Sequence, residues 1–331
     1  MDEKNNKQIY YPDGYYINKT DVFIFDIFYK NKKIYLLLPV VCVETIIIDN
    51  IFFIVDGKQI KPSDVLQKKQ TKEPINLLIY EYYSDNSNLD VKIIYNEINI
   101  NYTLDNINNS SDEICKLSVT TLLKNDYKYF ETFYTYYKEQ GVSCFYIYYN
   151  GVITSEISAY FNYNDVTLIE WNYEYWNKHF LSGASHVAQL GQMHHALYKY
   201  GKGLSEYMIF CDLDEYMYIP NYRLLDYIKI NPTCDIFGFC NRWSDTSDNN
   251  NNIPKIIPTI IYTSDRINYK NRSKNIYKTS AVELLNIHYP FKCNKECVYI
   301  TDFDMFHFYK WSGKKRVFST TDVFVLQNKQ I

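Results

Sequence analysis

From residue 115 onward, short apolar runs alternate with segments of helix-like spacing, and this alternation limits the folds open to the chain. LSVTTLL at 117–123 is a continuous apolar and β-branched run, which is typical of a strand buried on both faces. Gly141 and Gly201 close the two helix-like segments. The strand-like runs are 117–123, 144–150, 166–171 and 206–216, and the helix-like segments are 127–140 and 185–200. The pattern predicts an α/β domain with a mostly parallel sheet flanked by helices.

Residues 1–112 show a different pattern, in which strand-like runs such as VFIFDIFY and VKIIYNEINI follow one another without a convincing helix. Turn residues, including Asp56-Gly57 and Pro62-Ser63, separate these runs. An antiparallel, sandwich-like β-domain is the fold that such a pattern favours. The polar stretch 105–112 indicates a linker. The sequence therefore predicts two domains, at 1–112 and 113–331.

Charge and hydropathy restrict the partners and the location of the protein. The formal net charge of −3 gives no electrostatic basis for binding nucleic acid. The N-terminal segment lacks the apolar core of a secretory signal. The longest apolar stretch, 34–54, is interrupted by Pro39, Glu44 and Asp49 and does not predict a membrane span. These features predict a soluble cytoplasmic or intracellular protein and leave its oligomeric state undetermined.

The chain has eight cysteines, and Cys293 and Cys297 form an isolated C-x3-C pair. Zinc, a local disulfide and free thiols are all open interpretations of this pair. A structural zinc site needs four ligands, and no second Cys or His pair at suitable spacing is present. The sequence therefore favours free thiols.

The strongest chemical signal is an acidic motif at the end of an apolar run. Asp212-Leu213-Asp214-Glu215 follows directly after YMIFC. On an extended backbone, Asp212 and Asp214 would share a face while Leu213 packs on the other. Two carboxylates held close together favour a cation between them, and oxygen ligands suit Mn²⁺ or Mg²⁺. The motif therefore predicts a divalent-cation site. A lysine capping these carboxylates in place of an ion, or carboxylates that point away from any pocket, would contradict the enzymatic interpretation.

Most D-x-D motifs are surface turns or caps, and two further interpretations compete with a metal site. Haloacid-dehalogenase-like phosphatases also place a D-x-D after a buried strand, but a Thr follows shortly there and Glu215-Tyr216 follows here. A glycan-binding or structural protein on an inactive transferase fold is the non-enzymatic interpretation.

Six sequence blocks begin with LLKNDY at 122, AQLGQM at 188, YMIFCD at 207, FGFCNR at 237, SKNIYK at 273 and FHFYKW at 306. In this order they resemble the GT-A domain of glycosyltransferase family 92 and related family 2-like enzymes. The resemblance covers about two-thirds of the chain. Tyr149 departs from the pattern, because the family usually has Asp before the following Asn. The blocks are 122–150, 188–201, 207–220, 237–244, 273–290 and 306–311. The resemblance implies a GT-A fold and an inverting transfer from a nucleotide sugar, often UDP-linked, to a glycan or glycoconjugate hydroxyl. It also implies that residues 1–112 are a carbohydrate-binding or accessory module.

The same resemblance assigns expected roles to individual residues. For the metal it implies Asp212 and Asp214, completed by a distant histidine, for which His307 is preferred to His288. Asp212 is also expected to contact the donor ribose. The residues expected near the donor are Lys124, Asn125, Asn150, Gln189, Lys274 and Trp243, although Asn125 equally suits a helix cap and Lys274 a solvated surface.

An inverting transfer needs a general base that accepts the proton of the acceptor hydroxyl. Asp245, two residues beyond Trp243, is the candidate, and Asp248 is the alternative. Both lie in an acidic, asparagine-rich segment, so a solvated loop acid is the competing interpretation for each. Trp243 offers an aromatic face for a sugar ring, and a core aromatic is its competing interpretation.

Overall fold

The computed structural model describes residues 8–16, 22–39, 48–68, 75–107, 114–175, 187–246, 261–263, 265–269, 271–308 and 322–324. The chain forms two compact units, each with its own large sheet. The first unit comprises Met1–Tyr10, Cys115–Glu170 and Ser205–Ile331, and the second comprises Tyr11–Ile114 and Trp171–Leu204.

The secondary-structure elements of the described residues are as follows. The first strands are β1 (Ile9–Tyr10), β2 (Tyr15–Tyr16), β3 (Val22–Ile24), β4 (Asp26–Lys30), β5 (Lys33–Pro39), β6 (Ile51–Val55), β7 (Lys58–Ile60), β8 (Asp64–Lys68), β9 (Ile75–Glu81), β10 (Asn88–Tyr95) and β11 (Ile98–Ile107). The later strands are β12 (Cys115–Leu123), β13 (Cys144–Tyr149), β14 (Val166–Glu170), β15 (Ser205–Phe210), β16 (Glu215–Tyr218), β17 (Ile236–Thr246), β18 (Ile261–Thr263), β19 (Lys274–Lys278), β20 (Val282–Leu285), β21 (Pro290–Cys293), β22 (Tyr299–His307) and β23 (Asp322–Phe324). The helices are α1 (Phe130–Glu139), α2 (Ser155–Ala159), α3 (Val187–His195) and α4 (Leu224–Ile230), with 3₁₀ segments at Ile48–Asn50 and Tyr127–Tyr129 and a π-helical segment at Ala196–Gly201.

The first unit contains a mixed sheet whose described strands follow the order β1-β14-β13-β12-β15-β19-β17-β18-β23. β22 lies parallel to β17 and pairs on its other side with β16. The strands from β1 to β15 in this order are parallel, whereas β19 is antiparallel to both β15 and β17. Helices occur between the parallel strands along the chain, as in other α/β domains. The prediction of an α/β domain with helices is confirmed; the β1–β15 half of the sheet is parallel, as the pattern predicts, and the half from β19 to β23 is mixed.

A single apolar cluster joins the helices of the first unit to its sheet. Phe133 and Tyr137 of α1 belong to the same buried cluster as Val119 of β12 and Ile209 of β15. The helix predicted at 127–140 is confirmed, with a 3₁₀ turn before α1. Gly141 ends it at φ +92°, and a Cβ at this position would lie 2.6 Å from Leu225 Cβ. Glycine is therefore required both by the backbone and by close packing.

The second unit is a sheet folded over on itself. Its described strands follow the order β7-β6-β10-β11-β4-β5-β9-β8. Phe53 of β6 nevertheless stacks on Tyr80 of β9, with ring centroids 3.9 Å apart. Strands near opposite ends of the order therefore face each other across one core, which confirms the predicted sandwich-like domain. The pairing is not wholly antiparallel as predicted, because β11 and β4 are parallel.

The helix predicted at 185–200 belongs to the second unit, and its described part is α3 with the π-helical segment. Asp26 of β4 accepts a hydrogen bond from Lys199 Nζ (3.1 Å), and its Oδ2 lies 2.6 Å from His195 Nε2. All three side chains are buried. Lys30, also on β4, donates through Nζ to the backbone carbonyls of Lys199 (2.6 Å) and Lys202 (2.7 Å). These contacts attach the helix to β4.

The compact units assign two segments differently from the predicted boundary at 112/113. Met1–Tyr10 belongs to the first unit, and Trp171–Leu204 belongs to the second. The boundary itself lies outside the described residues and stays a prediction. Among the helices that the structure describes, none has the length and apolar character needed to cross a membrane. The cysteines of the described ranges, including Cys293 and Cys297, are free thiols.

Candidate active site

Strand pairing in the first unit brings the acidic motif together with residues that are distant in sequence. Asp212 follows β15, and Lys274 begins the antiparallel neighbour β19, so the end of one strand lies beside the start of the other. Glu215 begins β16 and is the direct cross-strand partner of His307 at the end of β22. The site is therefore assembled by the mixed half of the sheet.

The acidic motif is a turn rather than the extended segment that the sequence predicts. The Glu215 N–H donates to the Asp212 carbonyl (3.1 Å), and the Asp212 N–H donates to Glu215 Oε2 (2.7 Å). These two reciprocal bonds close the turn between β15 and β16. The prediction of an extended backbone from Asp212 to Asp214 was therefore wrong. Leu213 is buried in the core of the unit, as expected. The two aspartates diverge toward different partners.

Asp212 pairs with a buried lysine. Lys274 Nζ donates to Asp212 Oδ1 (2.9 Å) and lies 3.4 Å from Glu215 Oε2. Burial alone would raise the pKa of Asp212, but the Lys274 ammonium, assisted by His307 and His288, holds it below the ordinary value. Burial and the neighbouring charge of Asp212 raise the pKa of Glu215 to about 7. The Asp212 side chain remains 38% exposed, against 4% for Lys274. Lys274 therefore occupies one carboxylate oxygen that the sequence interpretation gave to a cation.

Asp214 faces a histidine. His307 Nε2 lies 3.4 Å from Asp214 Oδ2, and His307 Nδ1 lies 3.0 Å from Asn241 Oδ1 and 3.4 Å from Glu215 Oε1. Burial would lower the pKa of His307, but Asp214 and the other carboxylates raise it above the ordinary value. The Phe308 N–H also donates to the Asp214 carbonyl (2.8 Å), which fixes the two segments against each other.

The charge balance and the donor atoms of this cluster suit a divalent cation. Asp212, Asp214 and Glu215 supply three carboxyl groups, whereas Lys274 supplies an ammonium and His307 an imidazole whose pKa these groups raise. A carboxylate oxygen and an imidazole nitrogen 3.4 Å apart can both bind one ion with bonds of about 2.0–2.2 Å. Within the described residues, no group of three or more His, Cys, Asp or Glu side chains is arranged to hold a metal. The residues present therefore fit a cation held by two protein ligands, Asp214 and His307. Such a cation would have further coordination positions for oxygens of the sugar donor.

Trp243 lies beside this pair on β17. It is the register partner of His307, and the two ring centroids are 4.6 Å apart. The Arg272 guanidinium lies over the Trp243 ring, 5.3 Å from its centroid. Trp243 is 9% exposed, so most of its surface is covered by protein. Its contact with His307 places it at the site, and its burial limits the area left for a sugar ring.

Other predicted donor contacts lie at the carboxyl end of β12 and β13. Lys124 and Asn125 are exposed after β12, and the Asn150 N–H donates to the Leu123 carbonyl (2.7 Å) across the strand ends. β12 pairs directly with β15, so these residues lie on the same sheet edge as Asp212. Gln189 lies instead on α3 of the second unit, where its Oε1 accepts from the Tyr175 hydroxyl (2.8 Å).

The candidate bases are only partly described. The Asp245 backbone belongs to β17 and pairs with Tyr262, while its side chain lies outside the described atoms. Asp248 lies outside the described residues. His288, the alternative metal ligand, contacts the Ser273 carbonyl through Nδ1 (3.1 Å).

Sequence reasoning missed Asn241 and Arg272. The side chain of Asn241 is fully buried and contacts His307, and Arg272 covers Trp243. Residues two apart in a strand share a face, and Asn241 lies two residues before Trp243 on β17. The candidate Trp243 could therefore have pointed to Asn241. No local pattern marked Arg272.

The match with a family model now decides the identity. The model of glycosyltransferase family 92 matches residues 117–322, which is more than half of the chain. The chain belongs to glycosyltransferase family 92. The matched region contains all the site residues of the first unit named above and begins at the third residue of β12. Membership in this family contradicts the phosphatase interpretation of the D-x-D motif.

Two solved structures show weak similarity to this family 92 chain. S. aureus TarS 1-349 is 14% identical, with a TM-score of 0.33 over 59% of this chain and 61% of that one. The S. cerevisiae mannosyltransferase Ktr4p is 9% identical, with a TM-score of 0.25 over 42% of this chain and 44% of that one. The chain therefore spans about three-fifths of the first structure and less than half of the second. No curated protein matches the sequence.

Proposed function

We propose that this family 92 chain transfers a sugar from a nucleoside diphosphate sugar, a UDP-sugar, to a hydroxyl of a glycan or glycoconjugate. The transfer inverts the anomeric configuration and uses Mn²⁺ or Mg²⁺. The observation that supports this proposal most directly is the Asp214–His307 pair beside two further carboxylates. An excess of acidic groups at the edge of an α/β sheet suits a cation and the diphosphate that it would bind.

The proposed roles follow from the contacts of each side chain. Asp214 and His307 hold the cation, which would neutralise charge on the departing nucleoside diphosphate. Lys274 donates to one oxygen of Asp212, and Asp212 is the proposed contact to the donor ribose or the cation. Lys274 is buried and fixed between Asp212 and Glu215, so its first role is to orient these carboxylates. Lys124, Asn125 and Asn150 are the candidates for contacts to the nucleoside.

The acceptor side of the reaction needs a base. In the proposed step the acceptor oxygen attacks the anomeric carbon, the bond from that carbon to the diphosphate oxygen breaks, and Asp245 takes the acceptor proton. Trp243 precedes Asp245 by two residues on β17 and contacts His307. This spacing supports Asp245 over Asp248 as the base.

The metal assignment is tested by Asp214→Asn, which keeps the side-chain shape and removes the charge. We expect the variant to lose Mn²⁺-dependent binding of UDP, measured by calorimetry, while its unfolding transition is retained. Asp226→Asn is the matched control, because Asp226 pairs with Arg223 on the surface of α4. Unchanged Mn²⁺-dependent UDP binding in Asp214→Asn would refute the metal site.

The base assignment is tested by Asp245→Asn. Loss of a general base lowers the rate by about 10²–10⁴-fold while donor binding persists. The measurement compares transfer rate with Mn²⁺-dependent UDP affinity in the same variant. Transfer at the wild-type rate would remove Asp245 as the base and leave the metal assignment untouched.

The Lys274–Asp212 ion pair favours a second candidate function. Because a lysine occupies part of the place expected for a cation, a glycan-binding protein without transfer is the alternative. Slow hydrolysis of a UDP-sugar in the presence of Mn²⁺ distinguishes the two. Hydrolysis supports the transferase, whereas neither hydrolysis nor a thermal shift with any donor supports the binding protein.

A further inference from the structure

The two ring nitrogens of His307 face different kinds of neighbour. Around Nδ1 lie Asn241 Oδ1 at 3.0 Å and Glu215 Oε1 at 3.4 Å. Both are oxygen atoms, and the amide oxygen of asparagine can only accept a hydrogen bond. Nε2 faces a single carboxylate oxygen, Asp214 Oδ2, at 3.4 Å. The ring is therefore surrounded by acceptors on both sides.

With the Asn241 amide oxygen toward the ring, this arrangement favours one of the two neutral tautomers of His307. A proton on Nδ1 satisfies Asn241 at normal hydrogen-bond length and leaves a lone pair on Nε2. That lone pair then points toward the Asp214 carboxylate, and two electron-rich atoms at this separation favour a cation between them. A proton on Nε2 would satisfy Asp214 but would set the Nδ1 lone pair against the Asn241 oxygen.

The position of Asn241 is fixed where its amide oxygen can favour one tautomer of His307. It lies on β17 opposite Met305, two residues before the Trp243–His307 pair, and its side chain is fully buried. Its Nδ2 is a buried donor without a hydrogen-bond partner in the part of the chain that the structure describes. An unsatisfied buried amide costs about 1–3 kcal/mol, so an apolar residue would suit the core better. The amide oxygen on His307 is the feature that accounts for this cost.

We propose that Asn241 is a positioning residue that fixes His307 in the Nδ1–H form, so that Nε2 is available to a divalent cation held with Asp214. The proposal rests on the proposed function for its cation. Its structural core is independent of that function: the Asn241 amide oxygen selects the tautomer of the neutral ring. Histidine ligands of metals are commonly oriented by such a second hydrogen bond, and its loss lowers metal affinity about 10–100-fold.

The first test reads the tautomer directly. The full chain is labelled with ¹⁵N-histidine, and long-range ¹H–¹⁵N spectra are recorded at alkaline pH, where His307 is neutral. His307→Gln identifies the signals. We expect the proton on Nδ1 in the wild type and in Asn241→Asp, which keeps an acceptor oxygen, and on Nε2 in a substantial fraction of Asn241→Leu. A wild-type spectrum with the proton on Nε2 overturns the proposal.

The second test measures Mn²⁺ binding by electron paramagnetic resonance in the presence of UDP. We expect Asn241→Leu to bind Mn²⁺ about 10–100-fold more weakly and to lose the ¹⁴N coupling of a bound imidazole, and Asn241→Asp to retain both. Equal affinity and equal coupling in Asn241→Leu overturn the positioning role. If the wild type binds no Mn²⁺, the proposed function fails, whereas the tautomer spectra still decide the role of Asn241 toward His307. If Asn241→Leu does not fold, the wild-type tautomer spectrum decides: a proton on Nδ1 supports the proposal, and a proton on Nε2 overturns it.

Discussion

Two polar clusters in this chain use the same side-chain types and have opposite characters. The cluster of the second unit is closed, since each of its side chains is buried. The cluster of the first unit is open at Asp212, whose side chain is 38% exposed. The closed cluster is Asp26, His195 and Lys199, and the open cluster is Asp212, Asp214, Glu215, Lys274 and His307.

The charge balance of the clusters shows what the difference means. In the closed cluster one carboxylate meets one ammonium, and burial lowers the pKa of His195 despite its contact with Asp26, which favours the neutral ring. This cluster is balanced without any added ion. In the open cluster three carboxyl groups face two basic side chains: Lys274 contacts Asp212 and Glu215, and His307, whose pKa they raise, contacts Asp214 and Glu215. Accessibility together with an excess of acidic groups over basic ones, rather than residue type, therefore marks the candidate site.

The largest effect is expected when the closed cluster loses its only carboxylate. Asp26→Asn leaves the Lys199 ammonium buried without its ion-pair partner and is expected to lower the free energy of unfolding by about 3–5 kcal/mol. Urea unfolding followed by circular dichroism measures the change. Asp64→Asn is the control, because Asp64 is exposed on β8 of the same unit and such substitutions change stability by less than about 0.5 kcal/mol. A loss no larger than that of the control would show that the closed cluster is not structural.

A second prediction tests whether only the open cluster accepts an ion. Lys274→Met and Lys199→Met each remove a buried ammonium, and both are expected to destabilise the protein. Mn²⁺ is expected to restore stability in Lys274→Met, where the carboxylates are left without their lysine, and to have no effect in Lys199→Met. Restoration would reach about 2.7 kcal/mol at 100 times the dissociation constant. Thermal unfolding with and without Mn²⁺ measures this stabilisation. Equal responses of the two variants would show that the open cluster does not differ from the closed cluster in binding an ion.

Much of the fold was predictable from local pattern. The apolar run 117–123 became β12, and Gly141 ended α1, because buried strands and left-handed glycines leave clear local signals. The membership of α3 in the second unit was not predictable, because it depends on Asp26 and Lys30 of β4, about 170 residues earlier in the chain. Sequence spacing carries no information about such distant partners.

The candidate site was predictable in its members but not in its pairing. The acidic motif and His307 were identified, whereas the turn at Asp212 and the bond from Lys274 depend on how β15, β16 and β19 align. Asn241 was missed because a buried asparagine in a strand has no distinctive sequence signature. The strand register that places it beside His307 is a tertiary property.

The smallest effect concerns pH and gives the two histidines opposite signs. Unfolded histidines titrate near the ordinary pKa of about 6.5. Burial lowers the pKa of His195 in the folded state. Below about pH 6.5 the unfolded state therefore binds a proton at this histidine that the folded state does not bind. The contribution of His195 to stability falls as pH falls. The pKa of His307 is raised by Asp214, so its contribution is fully present below about pH 6.5 and is lost as pH rises through the folded pKa. Urea unfolding between about pH 5 and pH 8 should show the stability advantage of wild type over His195→Gln growing with pH, and that over His307→Gln shrinking. Parallel trends would mean that the two histidines occupy electrostatically similar surroundings, and the contrast between a closed and an open cluster would then be wrong.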